Sequence, residues 1–184
     1  MRYAGFWPRL GALLVDAIVI GIPLVSIFFW AAGWGSKTAL ASVTASMTIL
    51  GAIYYIYFTG RWGQTLGKMA MEIRVTKIDG ARVTMREGFL RHMVDLVLAI
   101  LASLGMLVAL HSISLVDFES KGLFDRIKLL ESTEPLWARW NHTAQNIWVW
   151  SELVVLLLNK KRRALHDFIA GTVVVHVEKR VSAI

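Results

Sequence analysis

Four stretches of this chain stay apolar for about the 20 residues that a helix needs to cross a bilayer. They run over residues 10–32, 38–59, 92–112 and 137–158. The first three are nearly uninterrupted. The fourth holds Arg139, Asn141, His142, Gln145 and Asn146 in its first half and Glu152 in its second, so its polar half is expected to face protein or water. Between the second and third stretches the period changes. Met71 to Val75 alternates apolar and polar residues, which predicts a strand. Asp79-Gly80 is a hairpin turn signal, and Ala81 to Thr84 would return the chain. A two-residue loop sets Val75 opposite Thr84 and a three-residue loop sets it opposite Met85; the longer loop or a bulge is expected. Thr84-Met-Arg-Glu87 has the form of a capping box opening the third helix. Thr172 to Val177 reads as one more strand. Leu123, Phe124, Ile127 and Leu130, between the last two spans, recur at helical spacing and predict an interfacial amphipathic helix. A ligand lid is the other reading of that link. The expected fold class is therefore an α-helical membrane protein of four transmembrane helices, with a small cytosolic β-hairpin and a C-terminal strand, forming a single membrane domain over residues 1–184.

Composition agrees with a membrane setting. Of the 184 residues, 56% are hydrophobic and 18% charged, against about a quarter charged in soluble domains. Mean hydropathy is +0.55. The net charge of +7 is gathered beside the apolar spans. The 60–91 link has Arg61, Lys68, Arg74, Lys77, Arg82, Arg86 and Arg91, and the tail has Lys160, Lys161, Arg162, Arg163, Lys179 and Arg180. The first link has only Lys37, and the 113–136 link sets Lys121, Arg126 and Lys128 against five acids. The excess of positive charge on alternate links predicts both termini on the cytosolic side. Trp30, Trp34, Trp137 and Trp140 then fall at the outer interface as an aromatic belt. The charges read as topology signals facing an anionic leaflet rather than as a nucleic-acid footprint. The first apolar run exceeds a usual signal-peptide core, holds Asp16 and is followed by further spans, so cleavage is not expected.

No cysteine is present, which removes disulfides, thiolate metal sites and thiol catalysis. His92, His111, His142, His166 and His176 form no recognised ligand spacing, so no metal site and no cofactor is expected. Gly63, Gly67 and Lys68 lack the spacing of a phosphate-binding P-loop; the glycines are expected to allow a tight re-entry turn with Lys68 at the headgroups. An enzyme is the least supported class.

The charges within the spans carry the candidate chemistry. Asp16 lies seven residues past Arg9 in the first apolar helix, on nearly the same stripe. A carboxylate there costs at least ~2.5 kcal/mol unless paired, solvated or protonated. Asp95, nine residues into the third helix, and Glu152, seven before Asn159, lie at a similar depth, roughly 10 Å below the inner surface. Acids sharing one level would shift each other's titration, as proton-coupled cation binding requires. The plainer readings are that Arg9 pairs with Asp167 to fasten the tail, that Arg91 pairs with Asp95 at i, i+4 with Glu87 behind it, and that Asp16 accepts hydrogen bonds from Thr, Tyr or Trp of other spans. Arg61, Lys68, Arg162 and Arg163 form a cationic patch fit for anionic lipid.

Three pieces in order resemble the RDD family of bacterial membrane proteins. They are Gly5-Phe-Trp-Pro-Arg9 running into Asp16; Gly63-Gln-Thr-Leu-Gly-Lys68 with Ile73-Arg-Val75 and Asp79-Gly80; and Arg163-Ala-Leu-His-Asp167-Phe-Ile-Ala-Gly171-Thr-Val-Val. The family is named for one arginine and two aspartates, which match Arg9, Asp16 and Asp167. The long 113–158 segment departs from the family, many of whose members are shorter there. The resemblance implies a multi-pass protein of the bacterial inner membrane, with transport proposed for the family and cation/proton exchange for some members. On that expectation Asp16 is the exchange site, Asp95 and Glu152 are auxiliaries, and Arg9 with Asp167 gates the cytosolic side; four spans would then need a homo-oligomer to wall a pathway. The absence of an internal repeat counts against a transporter within one protomer. The other expectation is an accessory or scaffold subunit that binds a partner protein or anionic lipid at its cytosolic face, with the charged triad holding the fold.

Overall fold

The computed structural model describes residues 2–177. Met1 and residues 178–184 lie outside it, and with them Lys179 and Arg180 of the basic tail. Among the described residues there are nine α-helices and two strands. Three helical stretches are long and apolar enough to cross a membrane: Phe6–Gly33, Lys37–Trp62 and Met85–Ser112.

The first stretch is not one regular helix. α1 (Phe6–Asp16) passes through a widened π turn at Ala17–Gly21 into α2 (Ile22–Gly33). Pro23 sits in the first turn of α2, where its missing N–H would otherwise be owed to the Val19 carbonyl. The widened turn absorbs that mismatch. α3 (Lys37–Trp62) and α5 (Met85–Ser112) are unbroken. Leu13, Leu14, Ile18, Val19 and Ile22 of the first stretch, and Ile49, Leu50, Ile53, Val97, Ile100 and Leu104 of the other two, are exposed. Lipid tolerates that outward apolar face and water does not. α8 (Leu136–Leu158) is a single 23-residue helix, but its polar first half keeps it outside the three apolar stretches.

The chain clusters into two compact units: Met1–Ala17, Tyr54–His92 and Trp150–Ile184 form one, and Ile18–Ile53 with Met93–Val149 the other. The first unit carries the short helices α4 (Leu66–Ala70) and α9 (Leu165–Ile169) and both strands. β1 (Ile73–Lys77) pairs antiparallel with β2 (Thr172–His176), with Val75 opposite Val174. Tyr3 bridges Val175 on the outer edge of β2. Ala4, Ala12, Ile73, Val75, Val83 and Val174 are its buried core. Helices α3 and α5 meet there at glycines: a Cβ on Gly88 would stand 2.8 Å from the Gly60 Cα, the close approach that small residues permit.

The expected hairpin is reduced to one bridge. Asp79 and Gly80 do turn the chain, with Asp79 accepting the Ala81 N–H at 2.9 Å and Gly80 at φ 87°. The loop is the longer kind, Ile78 to Gly80, but Thr76 bridges Arg82, so Val75 faces neither Thr84 nor Met85. On that edge the Val75 N–H bonds the Gly63 carbonyl at 2.8 Å instead of the returning chain, and the tail strand takes the other edge of β1, where Val173, Val174 and Val175 are buried. At Thr84 the capping signal holds in part: the Glu87 carboxylate accepts the Thr84 N–H at 2.7 Å and its hydroxyl at 2.6 Å.

The second unit is built on α6 (Leu115–Glu119), α7 (Leu123–Thr133) and the adjoining parts of the long helices. Ala31, Ala32, Leu40, Ala109, Leu110, Phe118 and Leu130 form its core. α7 is amphipathic as expected: Leu130 is buried and Phe124 exposed.

Candidate functional site

The first unit holds two buried carboxylates, each enclosed by donors. Asp16 ends α1 and is 2% exposed. Its Oδ1 accepts the Tyr54 hydroxyl at 2.6 Å and the Gly67 N–H at 2.7 Å, and its Oδ2 accepts the Thr65 hydroxyl at 2.7 Å. The direction of each bond is fixed by its neighbours. Tyr54 Oη receives the Leu66 N–H at 2.9 Å, which leaves its own proton for Asp16. Thr65 Oγ1 receives the Lys68 N–H at 3.4 Å and likewise gives its proton to Asp16. The Gly-Gln-Thr-Leu-Gly segment can come this close because Gly67 has no side chain: a Cβ there would lie 1.9 Å from the Ala12 carbonyl oxygen. Gly63 supplies the turn, at φ 70°. Lys68 does not extend to a headgroup position. It is half-buried with Nζ 3.4 Å from Thr65 Oγ1. Burial, and next the Arg91 charge, hold its ammonium down to a pKa of about 8.

Asp167, on α9, is fully buried. Its Oδ2 accepts Arg9 Nη1 at 2.7 Å and the Ala164 N–H at 3.0 Å; its Oδ1 accepts Arg91 and the Thr172 hydroxyl. Burial alone would raise its pKa, but the Arg91 and Arg9 guanidinium groups outweigh that and hold it below the usual carboxylate range. Arg9 also donates Nη2 to the Arg162 carbonyl at 2.6 Å and Nε to the Ala4 carbonyl at 3.3 Å. Arg163 folds back on the same turn, donating to the Asp167 and Thr172 carbonyls at 2.8 and 3.0 Å. The expected Arg9–Asp167 pair is present. Arg91 pairs with Asp167 rather than with Asp95: packed against the tail, it meets a fully buried carboxylate that its helix neighbour cannot match.

Arg91 continues into a chain of polar contacts. Its Nη2 is 2.6 Å from His166 Nε2, and His166 Nδ1 contacts Glu152. A guanidinium only donates, so Nε2 accepts, and Nδ1 carries the proton and donates a hydrogen bond to the Glu152 carboxylate. Asp95 lies in the other unit, where its Oδ1 accepts the Trp148 indole N–H at 2.9 Å. The three acids expected at one level thus keep different company: Asp16 with Tyr54, Thr65 and Gly67, Glu152 with His166, and Asp95 with Trp148. Arg61 and Arg162 are exposed.

Sequence reasoning missed Arg126. It is 8% exposed and donates only to carbonyls: Ala32 and Gly33 at the end of α2, at 3.0 and 2.9 Å, and Phe118 and Glu119 at the end of α6, at 2.8 and 3.0 Å. A cation at two helix C-termini satisfies orphan carbonyls and opposes both dipoles. Lys37 does the same for α5, donating to Ile113 at 2.5 Å. The usable signal was Ala31-Ala32-Gly33, a helix end with no polar side chain to cap it.

The family model described as the RDD family matches residues 3–171. The uncharacterized protein YckC of Bacillus subtilis (strain 168) is 38% identical over 109 residues, which is 58% of this chain and 69% of that protein. No solved structure matches the chain.

Proposed function

The chain belongs to the RDD family of membrane proteins, and on that premise we propose that it is a binding subunit of the bacterial inner membrane rather than a transporter or an enzyme. In this reading four helices cross the bilayer, α8 being the fourth, both termini lie inside, and the first unit forms a cytosolic-side platform that holds anionic lipid. A partner membrane protein or a second copy would dock beside that lipid.

The observation that carries the reading is the enclosure of Asp16. Each hydrogen bond to its carboxylate is donated, by a phenol, a hydroxyl and a backbone amide, and it is 2% exposed. An exchange site must release such partners to take up a cation and a proton in turn. Here Thr65 and Gly67 belong to the turn that brings Leu66–Ala70 against α1, and Tyr54 of α3 holds the Leu66 N–H of the same turn, so releasing them would dismantle the fold. Arg9, Arg91 and Asp167 are committed in the same way. The exposed cations, Arg61 and Arg162 among them, are left for the anionic leaflet.

One observation favours exchange of monovalent cations for protons. Glu152 and His166 are in contact and lead through Arg91 to Asp167, a chain of titratable groups from α8 to the tail. Under that reading Glu152, not Asp16, is the group free to change partner.

The test of the binding reading is lipid retention. Purified full-length chain, examined by native mass spectrometry from mixed micelles, should retain phosphatidylglycerol over phosphatidylcholine. Equal retention would remove the reading.

A further inference from the structure

Below the end of α3 lies a cleft of about 320 Å³, at the lower end of the size range of small-ligand sites. Arg61, Arg74 and Arg82 line it together, with Trp62, Gln64 and Met69. Among the described residues neither Arg61 nor Arg82 is paired with a carboxylate. Arg74 is held in place from behind: Gln64, 7% exposed, accepts its Nε at 3.1 Å and Nη2 at 2.9 Å while donating to the Ile73 carbonyl at 2.9 Å. The floor is fixed by backbone, with the Val75 N–H bonded to the Gly63 carbonyl at 2.8 Å. A Cβ on Gly63 would fall 2.7 Å from the Val75 carbonyl oxygen, so the strand approaches only because position 63 is glycine.

Three guanidinium groups around one cleft repel each other unless an anion lies among them, and their forked donors match phosphate oxygens. Trp62 is the last residue of a stretch long enough to span, and it is 44% exposed. An indole at a span end marks the level of the headgroups. Met69 is 39% exposed and gives the rim an apolar side suited to the start of an acyl chain. We infer that the cleft of Arg61, Arg74 and Arg82 is a specific site for the phosphate headgroup of an anionic membrane phospholipid. The inference deepens the proposed lipid-binding role and rests on it.

The experiment compares the full-length wild type, an Arg61→Gln/Arg82→Gln variant and a charge-matched Lys160→Gln/Lys161→Gln variant, whose exposed lysines lie outside the cleft. Both changes in the first variant are at exposed side chains, so folding is expected to survive, and thermal unfolding checks it. Each protein is titrated with phosphatidic acid in phosphatidylcholine nanodiscs, and each is also titrated with inorganic phosphate in neutral detergent. The expected result is saturable phosphatidate binding that falls about tenfold or more in the arginine variant and is unchanged in the lysine variant. Equal loss in both variants would overturn the cleft while leaving general lipid binding standing. No preference for anionic lipid in the wild type would overturn both. Saturable binding of inorganic phosphate, lost in the arginine variant and without any phosphatidate preference, would assign the cleft to a soluble phosphate and overturn the lipid.

Discussion

Arg9 Nη1 lies 2.7 Å from Asp167 Oδ2, joining residues 158 positions apart. The contact ties the mouth of the first helix to the last turn before the tail strand, and Arg91 enters the same carboxylate from α5. One aspartate therefore pairs with two arginines from separate helices.

Removing Asp167 should cost more than removing Arg9. Asp167→Ala leaves Arg91, 3% exposed, without its counter-charge, whereas Arg9→Ala leaves Asp167 still paired. Breaking a buried pair from one side costs about 3–5 kcal/mol. The double variant should lose less than the sum of the two single losses, read by thermal unfolding in detergent. The pH dependence follows from the lowered Asp167 pKa. Its contribution is complete above its unfolded value near 3.8 and is lost only as pH falls through the lower folded value. The gap between wild type and Asp167→Ala should be the same at pH 7 and pH 5.

The Asp16 enclosure makes a graded series. Tyr54→Phe removes one donor to Asp16 and the acceptor of the Leu66 N–H, and should cost about 1–3 kcal/mol. Gly67→Ala should be far worse, because its Cβ would meet backbone oxygen at 1.9 Å. If Gly67→Ala unfolds at the wild-type temperature, the close approach of α4 to α1 is wrong.

Lys68 gives a prediction of opposite sign to the carboxylates. Its pKa drops from 10.5 unfolded to about 8 folded, so between those values the unfolded chain binds more protons and stability rises with pH. Below pH 8 the buried ammonium is a cost. Lys68→Met should therefore unfold at a higher temperature than wild type at pH 7, and the difference should shrink as pH climbs from 8 toward 10.5. A difference independent of pH would contradict the burial of the amine.

Arg126→Met keeps most of the apolar stem and removes the caps from α2 and α6. Four carbonyls lose their donor, which should lower stability by about 1–3 kcal/mol. Gly35→Ala should reach the same outcome from the other side, since its Cβ would fall 2.6 Å from Arg126 Nη2 and Gly35 has φ 74°. The double variant should lose less than the sum of the two, because the clash goes with Arg126 while the strain of alanine at positive φ stays, read in the same unfolding assay.

Much of the first unit was legible in the sequence because its signals are local or come as spaced motifs. Arg9, Asp16 and Asp167 stood out as charges bordering or interrupting apolar runs, and Asp79-Gly80 turns the chain as its residues dictate. Arg91 was not legible. An i, i+4 acid at Asp95 is the local partner, and only the tertiary placement of the tail offers Asp167, 76 residues away. The β1 register failed for a related reason: a turn signal fixes where a strand reverses, not that the Gly63 carbonyl takes the Val75 N–H on the hairpin edge. Arg126 looked like one charge on an amphipathic helix, and nothing nearby announces that two other helices end beside it. Residue spacing sets Asp16, Asp95 and Glu152 at one height but carries no angular information about which face each presents.

Whether these charges move ions or hold the fold comes down to proton flux. Wild type and Asp16→Asn would be reconstituted at matched incorporation in liposomes loaded with a pH-sensitive dye, then pulsed with Na⁺, K⁺ or Li⁺. A binding subunit with a structural Asp16 means no cation-triggered flux from folded wild-type protein, and an Asp16→Asn variant altered in stability alone. Flux in wild type that persists in the variant would contradict the binding subunit and move the exchange to Glu152. Flux in wild type that vanishes in a folded Asp16→Asn variant would make Asp16 an exchange site and contradict this reading.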